Sequence, residues 1–200
     1  MGHLVITIGC EYGAKGNAIG RKIAKDLNIK FYNRELVDEI IEEVGIPKEI
    51  MEKVEEGGTI AGKGAEGDVR GSFSKYADLT QRAIHVQKTI IRKLADRESC
   101  VIIGRCANRI LKDYSNVLRV FVYGDWDFRI REASKKLSGT TKDIEKFMQK
   151  DDKRKEDFCK RFMGVDWADM TNYNLCLDNG TLGYEKCVEE IESALEILKK

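Results

Sequence analysis

Short apolar runs alternate with amphipathic stretches along this chain of 200 residues. Near-continuous apolar runs predict strands that are covered on both faces, whereas apolar residues three or four positions apart predict helices. The glycine-rich stretch 57–71 predicts a mobile surface loop. The predicted strands are residues 3–8, 29–32, 100–103, 117–123 and 175–177, and the predicted helices are residues 17–27, 35–44, a short one opening with Pro47, 74–95, 141–162 and 184–198.

This order of elements predicts a single domain of the α/β class. Parallel strands need long connections, and a helix between two such strands makes a right-handed crossover. We therefore expect a three-layer sandwich with a central parallel sheet of about five strands. Because ligands bind beyond the carboxyl ends of such strands, the loops after strands one, three and four are where we look for chemistry.

Composition excludes several classes of function. The chain has 35 basic and 34 acidic residues and a net charge of +1, so it lacks the overall positive field of a nucleic-acid-binding protein. Its apolar runs are far shorter than a membrane span, and its first residues lack the pattern of a secretory signal. We expect a cytoplasmic protein with no membrane or nucleic-acid partner. The sequence leaves a homo-oligomer open.

Six cysteines are spread along the chain without a C-x-x-C spacing. Four of them lie in apolar surroundings, which predicts reduced thiols that fill the core and argues against a disulfide framework. Cys10 and Cys106 are the alternative candidates for reactive thiols, because each lies at the end of a predicted strand. With only two histidines in unrelated contexts, we expect neither a Cys-His catalytic pair nor a protein metal site.

The loop after the first strand, residues 9–17, has the character of a phosphate-binding loop. Its glycines allow backbone N–H groups to converge on an anion at the start of a helix, and Lys15 adds a cation. Compared with G-x-x-x-x-G-K-[ST], the loop has Ala14 in place of the second glycine and Gly16 in place of the hydroxyl residue. The alternative is a plain strand-to-helix turn with an exposed lysine. The predicted donor-binding residues are Gly9, Gly13, Ala14, Lys15, Gly16 and Asn17.

Three blocks of sequence resemble the cytidylate kinase-like family, and together they cover essentially the whole chain. They are residues 6–21 continued by 29–36, residues 100–108, and residues 152–175. The resemblance implies a P-loop NTPase-like fold in which the central sheet carries a helical acceptor-side insertion and a lid. It places the core at 1–33, 98–137 and 170–200, the insertion at 34–97 and the lid at 138–165. It also implies phosphoryl transfer from ATP, with Mg²⁺, to a nucleoside monophosphate, with CMP or dCMP as the first choice.

Two positions depart from the enzymes that the chain resembles. Asn17 stands where they have a threonine, so an amide oxygen replaces the hydroxyl that usually ligates Mg²⁺. Cys106 stands where cytidylate kinases have an aspartate. These departures keep open a nucleotide-binding regulatory module without turnover. A kinase for another small acceptor is the other alternative, because the same scaffold can phosphorylate different hydroxyl or phosphate groups.

Two arginines are candidates for binding the acceptor. Arg105 follows the third strand by one glycine, which predicts a guanidinium at the carboxyl edge of the sheet, on the side of Lys15. Its planar fork suits a phosphate, and the resemblance implies that it holds the acceptor monophosphate. The alternative is an ion pair with a neighbouring carboxylate. Arg34, at the end of the second strand, either faces the cleft or only helps to begin the next helix.

The charged helix predicted at 141–162 carries the remaining candidates. Steps of about 100° per residue bring Lys150, Arg154 and Arg161 onto one basic stripe. In a lid, Arg154 and Arg161 would act with Lys15 as catalytic residues that stabilise the transferring phosphoryl group, whereas the alternative is a solvated helix face. The resemblance assigns Asp152 a hydrogen bond from the cytosine amino group, and the alternative is an ion pair with Lys155 or Arg154.

Overall fold

Five strands of the described chain form one sheet in which all neighbours are parallel. The computed structural model describes residues 3–55 and 69–198. The strand order is β2-β3-β1-β4-β5, with β1 at Val5–Cys10, β2 at Lys30–Tyr32, β3 at Cys100–Ile103, β4 at Val117–Tyr123 and β5 at Leu175–Asp178. This topology confirms the predicted α/β fold class. Since β1 lies at the centre, its carboxyl end opens into the middle of the ligand-binding edge of the sheet.

The long predicted helices are confirmed, and several shorter ones were not predicted. The described helices are α1 at Gly16–Asp26, α2 at Arg34–Glu43, α3 at Lys48–Glu55, α4 at Val69–Arg97, α5 at Ala107–Ile110, α6 at Trp126–Ser134, α7 at Thr141–Met163, α8 at Asn179–Leu182 and α9 at Tyr184–Leu198, together with a 3₁₀ turn at Met170–Asn172. Residues 56–68, which contain most of the predicted glycine-rich loop, lie outside the described residues. None of the described helices is both long enough and apolar enough to cross a membrane.

The sheet separates two apolar layers. Ile6 and Ile8 of β1 point to the side covered by α1 and α9, whereas Val5 and Ile102 point to the side covered by α4 and α5. The alternation follows from the two-residue period of a strand. Both faces are buried, so the central strands read as continuous apolar runs in the sequence.

Helix α7 has clear signals at both ends and two apolar anchors. Thr140 and Asp143 form a reciprocal capping box at its start, and Gly164 ends it in the left-handed conformation at φ 67°. Its first half buries Met148 beside α6, and its second half buries Phe158 among α2, α3 and α4. The helix therefore packs on the core at both ends, although its sequence is dominated by charge.

The sequence argues against a disulfide framework, and this expectation is wrong for one pair of cysteines. Cys106 and Cys159 form a disulfide bond with a Cα–Cα distance of 6.2 Å. The other four cysteines, all within the described residues, are free thiols. The pairing escaped sequence reasoning because the two residues are 53 positions apart and meet only where α7 folds over the end of β3.

Gly16 is required by the packing of the first loop against the first strand. A Cβ atom at this position would lie 2.5 Å from Cβ of Cys10, which is far inside van der Waals contact. The first turn of α1 can therefore approach the end of β1 only with glycine at this position.

We expect Gly16→Ala to lower the free energy of unfolding by about 1–3 kcal/mol, the usual cost of overpacking a tight site. Urea denaturation monitored by circular dichroism measures this change. The control is Lys25→Ala, an exposed substitution on the same helix, which should stay within about 0.5 kcal/mol of the wild type. Equal stabilities of the two variants would contradict the packing argument.

Candidate active site

One cavity of about 440 Å³ opens at the carboxyl edge of the sheet. Its walls come from the β1–α1 loop, the first turn of α2, the β3–α5 turn, α6 and α7. Gly9, Gly13, Lys15, Gly16 and Asn17 of the predicted loop line it, whereas Ala14 is fully buried behind the loop. The cavity has the size of a small-ligand pocket.

The β1–α1 loop presents the start of α1 to this cavity. Lys15 occupies the N-cap position in the left-handed conformation, at φ 65°. A lysine side chain has no acceptor for the N–H groups of the first helical turn, so an anion can take the place that a capping oxygen usually fills. The Lys15 ammonium lies 3.5 Å from the Glu132 carboxylate and 5.2 Å from the centre of the Tyr184 ring.

Arg129 of α6 fixes the shape of the loop from behind. Its Nε donates to the carbonyl oxygen of Tyr12 at 2.8 Å, and its Nη1 lies 3.2 Å from the Glu11 carboxylate. Its Nη2 pairs with the carboxylate of Asp152 in α7. Sequence reasoning missed Arg129, since the helix that carries it was not predicted and a single arginine has no spacing signal.

Asp152 has a structural position in this network. Its Oδ1 accepts the backbone N–H of Tyr12 at 2.8 Å and lies 3.2 Å from the Lys155 ammonium, while its Oδ2 faces Arg129. Among the described residues, the cavity wall includes Asp151 but not Asp152. The geometry therefore corresponds to the ion-pair alternative and gives no support to a contact with cytosine.

Lys155 is a second functional candidate that sequence reasoning missed. Its ammonium donates to the carbonyl oxygen of Cys10 at 3.0 Å, lies 2.8 Å from Oδ2 of Asp151, and faces the Trp167 ring at 5.4 Å. Burial acts to lower the pKa of Lys155, but Cys10, Asp151 and Asp152 outweigh it and raise the pKa above its usual value. Lys155 therefore carries a positive charge into the cavity at neutral pH. Trp167 also lines the cavity.

The structure separates the two arginines predicted on the lid. Arg154 lines the cavity and pairs with Asp151 at 2.6 Å. Arg161 lies seven residues further, about 10.5 Å along the helix at 1.5 Å per residue, in an exposed position beside Phe162. Both share one face of α7, but the cavity does not extend as far as Arg161. The catalytic assignment of Arg161 has no support in this geometry.

Arg105 and Arg34 meet at one carboxylate. The Arg105 side chain is 2% exposed and pairs with Asp38 of α2, and Nε of Arg34 lies 3.8 Å from the other Asp38 oxygen. The ion-pair alternative for Arg105 is therefore present, and Arg105 also lines the cavity, as does Arg34. Asn33 caps α2 by accepting the N–H of Leu36, which leaves Arg34 on the cavity side.

Positive charge accumulates at this end of the cavity. Burial lowers the pKa of Arg105 to about 10, and the neighbouring charges of Arg34 and Arg154 contribute to the shift. Burial also raises the pKa of Asp38, although Arg105 and Arg34 act in the opposite direction. At neutral pH, Arg105 remains protonated. Three guanidinium groups thus converge where an anionic ligand would reduce their mutual repulsion.

The described side chains do not build a metal cage of their own. Within residues 3–55 and 69–198, no group of three or more His, Cys, Asp and Glu side chains is arranged to hold a metal ion. A Mg²⁺ ion bound with a nucleotide takes most of its ligands from phosphates and water, with only one or two from the protein. Asn17, exposed at the start of α1 and lining the cavity, offers an amide oxygen of this kind.

Comparisons with known proteins agree with this architecture. The solved structure of an uncharacterized protein from Eubacterium ventriosum ATCC 27560 superposes with a TM-score of 0.75 at 24% identity, over 97% of this chain and 99% of that one. Shikimate kinase from Bacteroides thetaiotaomicron superposes with a TM-score of 0.54 at 15% identity, over 96% of this chain and 98% of that one. A gluconokinase from Sinorhizobium meliloti 1021 superposes with a TM-score of 0.50 at 14% identity, over 98% of this chain and 93% of that one. At these identities the likeness establishes the P-loop kinase fold.

At the level of sequence, the comparison with curated proteins gives no match. The profile of the cytidylate kinase-like family matches residues 5–181. That range includes the phosphate loop, the arginines around Asp38 and the whole of α7. The chain therefore belongs to the cytidylate kinase-like family.

Proposed function

We propose that this protein transfers the γ-phosphoryl group of ATP, with Mg²⁺, to a nucleoside monophosphate, with CMP or dCMP as the first choice. The observation that carries the proposal is that Lys15 lines the same cavity as Arg34, Arg105 and Arg154. Phosphoryl transfer depends mainly on holding donor and acceptor in line and on stabilising the charge of the transferring group. A phosphate loop and an arginine cluster in one cavity meet both requirements.

The donor would bind at the phosphate loop. The first turn of α1 supplies N–H donors and the positive end of a helix dipole, and Lys15 supplies a mobile cation beside them. Asn17 is the residue best placed to contact Mg²⁺, directly or through water. Mg²⁺, when bound with ATP, would neutralise charge on the β- and γ-phosphates. Arg129 would keep the loop in its binding shape through Tyr12 and Glu11.

The acceptor phosphate would bind at the arginine cluster. A phosphate dianion can accept paired hydrogen bonds from Arg34 and Arg105 and would reduce the repulsion between these groups and Arg154. The preference for a cytosine base rests on family membership, because Asp152 is engaged with Arg129 and Lys155.

A second candidate is a kinase for a small carboxylate-bearing acceptor. Guanidinium groups bind carboxylates with the same two-pronged geometry as phosphates, so Arg34 and Arg105 suit either ligand. The folds of shikimate kinase and gluconokinase, which the chain shares, make shikimate and gluconate suitable trial acceptors.

An ADP-release assay with ATP and Mg²⁺ distinguishes these functions. The acceptors are CMP, dCMP, UMP, AMP, GMP, shikimate and gluconate, and a thiol reductant is present throughout. ADP release that depends on CMP or dCMP supports the proposal. Release with only a carboxylate acceptor supports the second candidate, and release with none of the seven rejects both.

Lys15→Ala should lower kcat/KM by about 100- to 1,000-fold, the usual effect of removing one donor that stabilises developing charge. Thermal stability should change little, because the Lys15 side chain is partly exposed and makes two loose contacts, a 3.5 Å ion pair with Glu132 and a 5.2 Å contact with the Tyr184 ring. Steady-state ADP release and a melting curve measure the two effects. Lys22→Ala, on the same helix but outside the cavity, is the control and should keep wild-type kinetics. An unchanged kcat/KM in Lys15→Ala would exclude the phosphate loop as the donor site.

Arg105→Lys keeps a positive charge beside Asp38 and removes the planar fork. We expect the KM for the acceptor to rise by about 10- to 100-fold, which corresponds to about 1.5–3 kcal/mol for a hydrogen bond to a charged group. The KM for ATP should stay near its wild-type value. Arg109→Lys, nearby in α5 and outside the cavity, is the matched control. A weaker KM for ATP with an unchanged KM for the acceptor would reassign Arg105 to the donor.

Arg154→Ala should lower kcat by about tenfold or more and change the KM for ATP less, since its contact would strengthen as charge spreads over the transferring group. Lys150→Ala, exposed on the same helix, is the control. Arg161→Ala tests the sequence prediction directly, and its position beyond the cavity leads us to expect a smaller loss. Equal losses in the Arg154 and Arg161 variants would mean that α7 shifts along the core before transfer.

A further inference from the structure

The disulfide bond lies in the wall of the cavity. Cys106 directly follows Arg105, and both Cys106 and Cys159 line the cavity although they are only 5% and 4% exposed. The cavity is therefore the route by which a small molecule in solution would reach the sulfur atoms. A ligand bound there would obstruct that route.

The bond joins two different parts of the structure. One is the firmly held end of β3, and the other is helix α7, which carries charge over the cavity. Cys106 follows β3 and occupies the N-cap position of α5, next to the centre of the sheet. Cys159 lies one helical turn beyond Lys155, which is the lid cation that contacts the carbonyl oxygen of Cys10. The bond thus fastens the C-terminal part of α7 to the carboxyl edge of the sheet.

The other contacts between α7 and the phosphate loop are reversible. Phe147 of α7 packs edge-on against the Tyr12 ring, with 5.0 Å between the ring centres. The polar contacts are the ion pair of Asp152 with Arg129, the hydrogen bond of Asp152 with Tyr12 and the hydrogen bond of Lys155 with Cys10. Charged contacts of this kind can open and close during turnover, as a kinase lid must do to admit substrates and release products. A covalent bond cannot open in this way.

We propose that Cys106 and Cys159 form a redox latch, in which the disulfide holds α7 closed over the cavity and reduction releases it. The latch itself is a thiol modification site whose reagents are low-molecular-weight thiols and disulfides. Its effect on turnover rests on the proposed function, because only a kinase that must open its lid is slowed by the bond.

The chemistry balances as thiol–disulfide exchange. One cysteine thiolate attacks a sulfur of a small disulfide, forms a mixed disulfide and expels one small thiolate. The second cysteine, as a thiolate, then displaces the other small thiol and completes the Cys106–Cys159 bond. The two protein thiols thereby lose two electrons and two protons, and the small disulfide becomes two small thiols. An excess of small thiol reverses both steps.

The four other cysteines are poorly suited to compete with Cys106 and Cys159 for a small disulfide. Cys100 and Cys187 are buried, and Cys176 lies in β5 outside the cavity wall. Cys10 does line the cavity, but it has no disulfide partner in the structure, so exchange at Cys10 would stop at the mixed disulfide.

The test compares the protein after treatment with oxidised glutathione and after treatment with dithiothreitol. Alkylation under denaturing conditions without further reductant counts the thiols, and we expect four in the oxidised protein and six after reduction. Hydrogen exchange of α7 amides should become faster by about tenfold or more on reduction, because local opening becomes possible. Turnover should rise on reduction by about tenfold where lid opening limits the rate.

Variants separate the latch from a general effect of reductant. Cys106→Ser and Cys159→Ala should each show fast hydrogen exchange in α7 that does not respond to reductant. The two variants change opposite ends of the bond, so the same result in both is not explained by a folding defect in one of them. Cys176→Ser should retain the wild-type response. Millimolar CMP, the probe for cavity access, should slow reduction of the wild-type disulfide.

Six alkylated thiols after treatment with oxidised glutathione would overturn the proposal, since the pair would not form. Equal exchange of α7 in the oxidised and reduced proteins would also overturn it, since the bond would not hold the helix. If exchange differs between the two states and no acceptor is phosphorylated in either, the proposed function fails and the latch stands.

Discussion

Arg129 must find partners because its guanidinium is almost completely buried, with 7% of the side chain exposed. A buried charge is tolerated only when it is paired and hydrogen-bonded. Its partners are the Glu11 carboxylate, the Tyr12 carbonyl oxygen and the Asp152 carboxylate. One side chain of α6 thus fixes the phosphate loop and α7 relative to each other, and the positions of the α7 residues at the cavity depend on it.

The need to pair buried charges also governs the opposite end of the cavity. Asp38 pairs with Nη2 of Arg105 and lies near Arg34, so a single carboxylate serves two guanidinium groups. Arg154 adds a third positive charge and is paired with Asp151 on its own helix. Three guanidinium groups are thereby gathered at this end of the cavity, which is the arrangement that the proposed acceptor phosphate needs.

Helix α7 combines two requirements that usually conflict. The proposed lid role needs few strong contacts so that the helix can open, whereas this helix is anchored by Phe158, by Met148 and by the bond from Cys159 to Cys106. The apolar anchors flank the charged turn that carries Arg154 and Lys155, with Met148 before it and Phe158 about one helical turn after it. A rotation about these anchors would move the charged turn while much of the apolar contact remains. The covalent bond would restrict such a rotation, so its redox state would govern how far the lid moves.

The sequence alone determined the fold class and most of its elements. Apolar runs such as 100–103 and 117–123 carry their signal locally, because strands covered on both faces must be apolar along their length. The phosphate loop was also visible, since Gly9, Lys15 and Gly16 lie within eight residues of one another. Arg105 was placed at the sheet edge by its distance from the end of a strand.

Tertiary structure decided how the charged residues pair and which of them face the cavity. Arg154 and Arg161 are equivalent on a helical wheel, and only the extent of the cavity separates them. Asp152 could reach several partners by sequence, and the position of Arg129, 23 residues away, selects between them. The Cys106–Cys159 bond was also decided by tertiary structure, because its two residues are 53 positions apart in the chain. Local pattern fixes which face of a helix is polar, whereas the partners of a polar group depend on contacts between residues that are far apart in the chain.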